Sequence, residues 1–220
     1  HSVDQAEIVR RLIHQQSDRE NRIRQARAMW AETMLINSTL GERYLRNRAI
    51  RGSIPTSIRF HPACWHKTGR RLPAMVAAVL NLYGDMVACH RTYLAEPGVK
   101  AAVDPPRAML GPVAGAAVRL SEGSGPLLVG EGIESTWSAF ILRGDSGARA
   151  WAALSASGME SLHLPQRAER LIIAPDADTR GRTAAQVLAE RAHVAGWDVF
   201  ILEPPPVGDF NDMLRGETSA

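Results

Sequence analysis

The chain has 220 residues, of which 45% are hydrophobic and 22% charged, a globular composition that excludes a disordered or collagen-like protein. Nothing approaches 18 consecutive apolar residues, so we expect no membrane partner, and no secretory signal pattern opens the chain. Two cysteines, Cys64 and Cys89, are too few for a disulfide framework, which favours a cytoplasmic protein. Because the chain begins with His1 rather than Met, we expect an excised fragment or a tag remnant.

The net charge of +3 hides an asymmetry between the two halves of the chain. Residues 1–125 carry 18 Lys and Arg against 10 Asp and Glu, whereas residues 126–220 carry 8 against 13. Of the 26 basic residues, 24 are arginine, whose guanidinium suits phosphate, although a GC-rich genome produces the same bias. A basic half joined to an acidic half is typical of a metal-dependent enzyme that acts on a polyanion.

The basic half reads as helices followed by short strands. Apolar residues at helical spacing predict one helix from Asp4 to about Ile36, and Thr39 and Glu42 stand at capping-box spacing before a second. Apolar runs around a Gly-containing turn predict a hairpin, and two short strands follow: 73–80 with 85–94, then 99–103 and 116–120. A Gly-, Ser- and Pro-containing stretch, 121–126, is the best candidate for an internal boundary.

In the acidic half, apolar strands alternate with helical stretches. Strands are predicted at 127–130, 148–154, 170–174 and 197–202, and helices at 134–142, 158–162, 181–195 and 209–214. Such alternation predicts an α/β fold with a parallel four-stranded sheet covered by helices. Ligands of these folds bind at the carboxyl ends of the strands.

Acidic residues follow three of these strands. Glu131 follows the first, Asp176 and Asp178 the third, and Asp209 and Asp212 the fourth. Carboxylates that converge on one edge repel each other unless a cation lies between them. Oxygen ligands without nearby histidine select Mg²⁺ or Mn²⁺ over zinc, and such ions usually serve phosphoryl chemistry.

Some of these acids also have a purely structural interpretation. Asp178 can be the N-cap of the helix that follows it. Glu134 lies in a first helical turn, where a carboxylate favours the helix dipole, and Asp212 can likewise be a helix-start residue.

Other catalytic constellations receive little support. His61, Cys64, His66, Cys89 and His90 lack the paired Cys-x-x-Cys spacing of structural zinc, so we expect the cysteines to serve packing. The chain has neither a phosphate-cradling Gly-x-x-x-x-Gly-Lys-Ser/Thr loop nor a Gly-x-Ser-x-Gly elbow.

Three acidic segments together carry a family resemblance. LLVGEGIE at 127–134, LIIAPDADTRG at 171–181 and GDFNDML at 208–214 resemble a Toprim domain, the fold shared by bacterial-type DNA primases, topoisomerases and certain nucleases. Its hallmark is a Glu after the first strand and an Asp-x-Asp after the third. The upstream half resembles the basic subdomain that precedes Toprim in primases of phages, plasmids and integrative elements.

The resemblance implies three parts: a helical arm at 1–37, a basic α+β subdomain at 38–123 and a Toprim domain at 124–220. It implies a primase core that synthesises short RNA primers on single-stranded DNA from nucleoside triphosphates. Glu131 would be the general acid/base and a metal-side carboxylate. Asp176 and Asp178 would hold Mg²⁺ or Mn²⁺, with Asp209 as a further ligand.

The resemblance also implies contacts with nucleic acid, nucleotide and partner proteins. Arg91, Lys100 and Arg107 would contact template and primer, and Arg180 and Arg182 the nucleotide phosphates. A replicative helicase and a zinc-binding module, fused or adjacent, would be the partners. Two alternatives stay open: a Toprim nuclease, and a non-catalytic nucleic-acid-binding module of a mobile-element or defence complex.

Overall fold

The computed structural model describes residues 5–206 and 208–217. Its helices are α1 (Gln5–Ala31), α2 (Leu40–Asn47), α3 (Ile133–Arg143), α4 (Ala156–Ser161), α5 (Thr179–Val194) and α6 (Phe210–Arg215). Its strands are β1 (Met34–Leu35), β2 (Ile58–Trp65), β3 (Arg71–Leu80), β4 (Met86–Ala95), β5 (Val99–Lys100), β6 (Arg107–Leu110), β7 (Val118–Ser121), β8 (Leu127–Gly130), β9 (Arg149–Ala152), β10 (Arg170–Ala174) and β11 (Asp198–Ile201). The predicted helix start at Asp4 and the outer domain limits, residues 1 and 220, lie outside the described residues.

The basic half forms an antiparallel sheet in the order β1-β2-β3-β4-β5, with β6 also paired to β4. The predicted hairpin is confirmed as β3 and β4, whereas β1, β2 and β6 were not predicted. The first helix was predicted to reach about Ile36, but it ends at Ala31, and β1 lies in the remaining stretch. The strand predicted at 99–103 is only the two residues of β5. Helix α1 packs on one face of this sheet through Ala26, which is fully buried.

The predicted capping box at α2 forms only in part. The Thr39 hydroxyl accepts a hydrogen bond from the Gly41 amide, as an N-cap side chain does. The Glu42 carboxylate, however, accepts from the amide of Ser38 at 2.7 Å rather than from that of Thr39. The bond still satisfies a donor at the helix entrance.

The acidic half forms a sheet in the order β11-β10-β8-β9-β7. Four strands are parallel, as predicted, and β7 adds an antiparallel edge by pairing with β9. Because β7 lies before residue 124, the stretch at 121–126 connects two strands of one sheet rather than two separate sheets. The α/β class with helices on the sheet is confirmed.

One apolar core joins the two halves. Ile58 and Val79 of the first sheet lie in the same buried cluster as Ile133 and Trp137 of α3. The two sheets are therefore held together by shared apolar burial, which stabilises by roughly 25 cal/mol per Å². Within residues 5–206 and 208–217, no helix has both the length and the apolar character needed to cross a membrane.

Candidate active site

The first two acidic segments meet at the carboxyl edge of the parallel sheet. Strands β8 and β10 are parallel neighbours, and their last residues, Gly130 and Ala174, are register partners. Glu131 follows β8 directly, and Asp176 follows β10 after a single proline. The fully apolar strands bury themselves between helices, so the polar residues just beyond them emerge together.

Glu131 lies in surroundings that disfavour its charge. The side chain is half-buried, and its Oε1 atom is buried with no hydrogen-bond partner in the structure. Burial, reinforced by the charges of Asp176 and Asp178, raises the pKa of Glu131 to about 7. Its carboxyl group can therefore gain or lose a proton near neutral pH, as a general acid or base requires.

Asp176 is the second carboxylate at this edge of the sheet. We call the group formed by Glu131, Asp176, Asp178 and Asp209 the acidic cleft. Burial raises the pKa of Asp176, and the charges of Asp209 and Asp178 act in the same direction. The Ser135 hydroxyl donates to Asp176 Oδ1 at 3.2 Å and partly offsets this effect. Mutual repulsion among carboxylates at one edge is thus present, as the sequence predicted.

Asp178 combines an exposed position in the cleft with a structural role. Its Oδ1 accepts a hydrogen bond from the Gly181 amide at 2.7 Å, which makes it the N-cap of α5. The structural interpretation of this residue is therefore confirmed. An N-cap hydrogen bond occupies only part of a carboxylate's acceptor capacity, so the role does not conflict with metal binding.

Gly181 lets the start of α5 approach the first acidic segment closely. A Cβ atom at this position would lie 2.6 Å from Glu131 Oε1 and 2.7 Å from the Asp176 carbonyl oxygen. Both distances are too short for non-bonded atoms. Because Gly181 has no side chain, the start of α5 and the Asp-x-Asp segment can lie this close to Glu131.

Asp209 caps the last helix. It accepts hydrogen bonds from the amides of Asn211 and Asp212 at 2.7 and 2.9 Å. The Asp212 carboxylate accepts from the Asp209 amide at 3.1 Å, which completes a capping box. Asp212 is thus a helix-start residue, as its structural interpretation predicted. Asp209 is close enough to Asp176 to act on its pKa, which associates the third acidic segment with the cleft.

The donor set fits a hard divalent cation in an open site. Among residues 5–206 and 208–217, no group of three or more His, Cys, Asp or Glu side chains is assembled closely enough to form a metal cage. Magnesium does not need one, because it keeps several waters and uses one or two carboxylates together with substrate phosphates. The unpartnered Glu131 Oε1 and the raised pKa of Asp176 are what a carboxylate cleft shows when a cation is needed.

The three predicted nucleic-acid contacts divide between the two faces of the first sheet. Arg107 pairs with Thr92 and Lys100 with Leu94, whereas Arg91 pairs with Ala108, one register position away. Because side chains alternate between faces, Lys100 and Arg107 share a face and Arg91 lies on the opposite one.

The face that carries Lys100 and Arg107 is the one that faces Asp176 and Asp209. Arg107 lowers the pKa of Asp176, and Asp209 acts on the pKa of Lys100. Arg91 instead donates to the backbone carbonyls of Trp65 and Met109 at 3.2 and 3.1 Å. The structure thus brings two of the three cations to the acidic cleft.

Arg180 and Arg182 stand in the first turn of α5, and both are exposed. The Arg180 guanidinium forms a two-pronged ion pair with Glu160, and its charge acts to lower the pKa of Glu131. Arg182 donates to the Ala177 carbonyl at 3.2 Å and lies 3.5 Å from Glu203. Arg180 therefore lies within electrostatic reach of Glu131, and Arg182 contacts the backbone between Asp176 and Asp178.

Arg48 and Asn211 are polar residues near the cleft that the sequence did not single out. Arg48 Nη1 donates to Asn211 Oδ1 at 3.3 Å, and Asn211 Nδ2 donates to the Arg48 carbonyl at 2.8 Å. Asn211 is fully buried, so these bonds fix the last helix against α2. The two residues are 163 positions apart, and no local pattern signals such a contact.

The cysteines serve packing, as expected. Cys64 and Cys89 are buried in an apolar cluster with Ala26 and Tyr93. Burial raises the pKa of Cys89 to about 12, so this thiol stays protonated.

The fold and site define an α/β protein with an acidic cleft at the carboxyl edge of its parallel sheet. In a comparison with family models, residues 126–220 match the Toprim domain and residues 20–120 match a domain of unknown function (DUF7146). Toprim domains generally bind divalent metal ions. A search of curated proteins found no match.

Comparison with solved structures finds primases among those similar to this chain. The Escherichia coli primase catalytic core matches with a TM-score of 0.50 and 14% identity, over 83% of this chain and 71% of that one. The RNA polymerase domain of Mycobacterium tuberculosis primase DnaG matches with a TM-score of 0.49 and 15% identity, over 90% and 82%. The primase fragment of the bacteriophage T7 primase-helicase protein matches with a TM-score of 0.48 and 15% identity, over 80% of this chain and 65% of that one.

Proposed function

We propose that this chain is the catalytic core of a DNA primase, which joins ribonucleotides into short primers on a single-stranded DNA template. The observation that supports it best is the pairing of an acidic Toprim cleft with cations from the preceding subdomain. Glu131 and Asp176 come from the acidic half, Arg107 of the basic half acts on the pKa of Asp176, and Asp209 acts on that of Lys100. A polyanionic substrate bound here would contact cations that bind phosphate and carboxylates that hold its metal.

The chemistry is nucleotidyl transfer. The 3′-hydroxyl of the growing primer attacks the α-phosphorus of a nucleoside triphosphate, a P–O bond forms, and pyrophosphate leaves. Glu131 is suited to accept the hydroxyl proton, because its pKa of about 7 lies near the working pH. Lys100 and Arg107 are suited to orient phosphate groups from the side opposite the acids.

Asp176 and Asp178, with Asp209 and the metal-side oxygen of Glu131, are the residues that would hold Mg²⁺ or Mn²⁺. A bound divalent ion supplies neutralisation of the triphosphate charge. Arg180 and Arg182 would extend this cleft toward the phosphates. A replicative helicase and a zinc-binding module are the partners we propose for such a core.

The decisive experiment is incubation with single-stranded DNA, the four ribonucleotides and Mg²⁺ or Mn²⁺, followed by separation of the products by length. We expect short extension products that require template. Glu131→Gln keeps the side-chain size but removes its basicity, so synthesis should fall by on the order of 100-fold or more. Glu122→Gln, an exposed acid outside the cleft, is the matched control and should behave as wild type.

Two outcomes would replace the proposal. Shortening of the DNA in place of extension would make the chain a Toprim nuclease that uses the same acids with water as the nucleophile. Binding of DNA with neither extension nor cleavage, under both metals, would make it a nucleic-acid-binding module.

A further inference from the structure

Glu134 is a buried carboxylate that the proposed chemistry does not use. It lies in the first turn of α3, three residues after Glu131, and only 7% of it is exposed. The helix dipole favours an acid at this place, but Glu is almost never this deeply buried unless it is paired. Its partners come from the other half of the chain.

Tyr44 of α2 and Lys100 of β5 are those partners. The Tyr44 hydroxyl donates a short hydrogen bond to Glu134 Oε1, and the Lys100 ammonium lies 3.9 Å from the same oxygen. Burial acts to raise the pKa of Glu134, but the charge of Lys100 and the hydrogen bond from Tyr44 outweigh it and hold this pKa below its usual value. Glu134 is therefore ionised at neutral pH.

The same contact favours the charged form of Lys100. Its side chain is 30% exposed, and a lysine loses much rotamer freedom when its ammonium is held in one place. Burial lowers the pKa of Lys100, and Glu134 is the strongest group opposing this effect. Asp209 acts in the same direction, so the ammonium is within electrostatic reach of both the buried carboxylate and the acidic cleft.

We propose that Glu134, itself fixed by Tyr44, is a positioning residue that holds the Lys100 ammonium at the edge of the acidic cleft, where it receives a phosphate group of the substrate. The identity of that phosphate, as part of a nucleotide or primer, rests on the proposed function. The contact between Glu134 and Lys100 does not.

If Glu134 had only a structural role, its negative charge would not be required. Buried ion pairs stabilise a fold no better than well-packed apolar residues of similar size. Of the other groups that act on Lys100, Asp209 also favours its charge, but less strongly than Glu134 does. Arg48 and Arg107 repel the ammonium, and burial lowers the pKa of His90 to about 4, which leaves its ring neutral at pH 7.

The chain offers a direct readout, because Lys67 and Lys100 are the only lysines in its sequence. Labelling with ¹³C-lysine therefore gives two side-chain signals, and the 63% exposed Lys67 side chain is an internal control. We expect Glu134→Gln to shift the Lys100 signal and to lower the midpoint of its titration, leaving Lys67 unchanged. An unchanged Lys100 signal and midpoint would overturn the inference.

A second variant keeps the inference testable if Glu134→Gln does not fold. Tyr44→Phe removes only the hydroxyl that fixes Glu134, and it should shift the Lys100 signal in the same direction by a smaller amount. Tyr83→Phe, at a residue that is 87% exposed, is the matched control. If Tyr44→Phe folds and leaves the Lys100 signal where it was, Tyr44 does not fix the contact and the inference fails.

Phosphate binding is measured by calorimetry with inorganic tripolyphosphate, without metal, between pH 7 and 10. In Glu134→Gln, Lys100 loses its counter-charge and deprotonates at lower pH. Affinity should then decline from a lower pH than in wild type, by up to about tenfold per pH unit. The ionisation of tripolyphosphate itself is common to all variants.

Lys100→Arg in the Glu134→Gln background should remove this decline, because a guanidinium stays charged without a counter-ion. A decline that persists in the double variant would show that Lys100 is not the group concerned, and the inference would fail. If these results hold but no primer is made, the positioning role stands and the proposed function alone falls.

Discussion

Glu131 and Glu134 lie three residues apart and have opposite pKa shifts. Burial and neighbouring carboxylates raise the pKa of Glu131 to about 7, whereas Lys100 and Tyr44 outweigh burial at Glu134 and lower its pKa. Two carboxyl groups with opposite shifts in one site are suited to different tasks. One can exchange a proton, and the other serves as a permanent charge.

The raised pKa of Glu131 predicts a pH-dependent cost in stability. The folded protein keeps Glu131 protonated between its ordinary pKa of 4.5 and about 7, whereas the unfolded chain does not. Wild type therefore loses stability relative to Glu131→Gln as pH rises through this window. The loss is less than about 3.4 kcal/mol, at about 1.36 kcal/mol per pH unit, because solvent partly screens the half-buried carboxylate. Thermal unfolding without metal should show both proteins alike at pH 4.5 and the variant more stable at pH 8. Equal differences at both pH values would contradict the shift.

The proposed metal ligands Asp176 and Asp178 lead us to expect that Mn²⁺ raises the thermal stability of the protein. If they hold a divalent ion, Mn²⁺ should raise the melting temperature of wild type, by the equivalent of about 2.7 kcal/mol at 100-fold excess over Kd. Asp176→Asn with Asp178→Asn should abolish this rise without unfolding the chain, as differential scanning fluorimetry would show. Asp104→Asn, at a side chain that is 96% exposed, serves as control. A double variant that responds like wild type would move the metal site elsewhere.

At the scale of elements, the close approach of α5 to Glu131 depends on Gly181. Gly to Ala inside a helix normally stabilises by about 0.5–1 kcal/mol. At Gly181 the added Cβ would lie 2.7 Å from the Asp176 carbonyl oxygen, so Gly181→Ala should instead destabilise, by roughly 1–3 kcal/mol, and weaken the Mn²⁺ response.

Gly147→Ala is the matched control for this prediction. A Cβ at Gly147 would have its nearest neighbour, Asp145 Oδ1, at an ordinary 3.7 Å. Denaturant unfolding of both variants, with and without Mn²⁺, provides the measurement. A stabilised Gly181→Ala with full metal response would disprove the close approach.

The sequence predicted elements well where their pattern is local. Strands β8 and β10 match their predicted bounds because each is a short apolar run with polar residues at its end. Strand β6 was missed because its four residues are defined as a strand by their pairing with β4, which lies earlier in the chain. The acids were found because strand ends locate them. The contact of Tyr44 with Glu134 was not, because 90 residues separate the two.

At the scale of the whole molecule, the site is assembled from both halves. The family resemblance grouped Arg91 with Lys100 and Arg107 as contacts for template and primer. Strand register places Arg91 on the opposite face, where it donates to the carbonyls of Trp65 and Met109. Which face a strand residue occupies depends on pairing across the sheet, and this cannot be read from charge or spacing.

The split between the faces predicts that the three cations act differently on single-stranded DNA. Replacing Lys100 and Arg107 together with Gln should flatten the slope of log K against log salt by about 1.4, at roughly 0.7 per phosphate contact. Arg91→Gln should leave that slope unchanged but lower the melting temperature, because two backbone carbonyls lose their donor. Fluorescence anisotropy over a range of salt concentrations separates the two effects, and Mn²⁺ binding should survive in every variant because none of these groups is a metal ligand. If Arg91→Gln alone flattened the slope, the nucleic acid would run over the face opposite the acids and not along the face that carries Lys100 and Arg107.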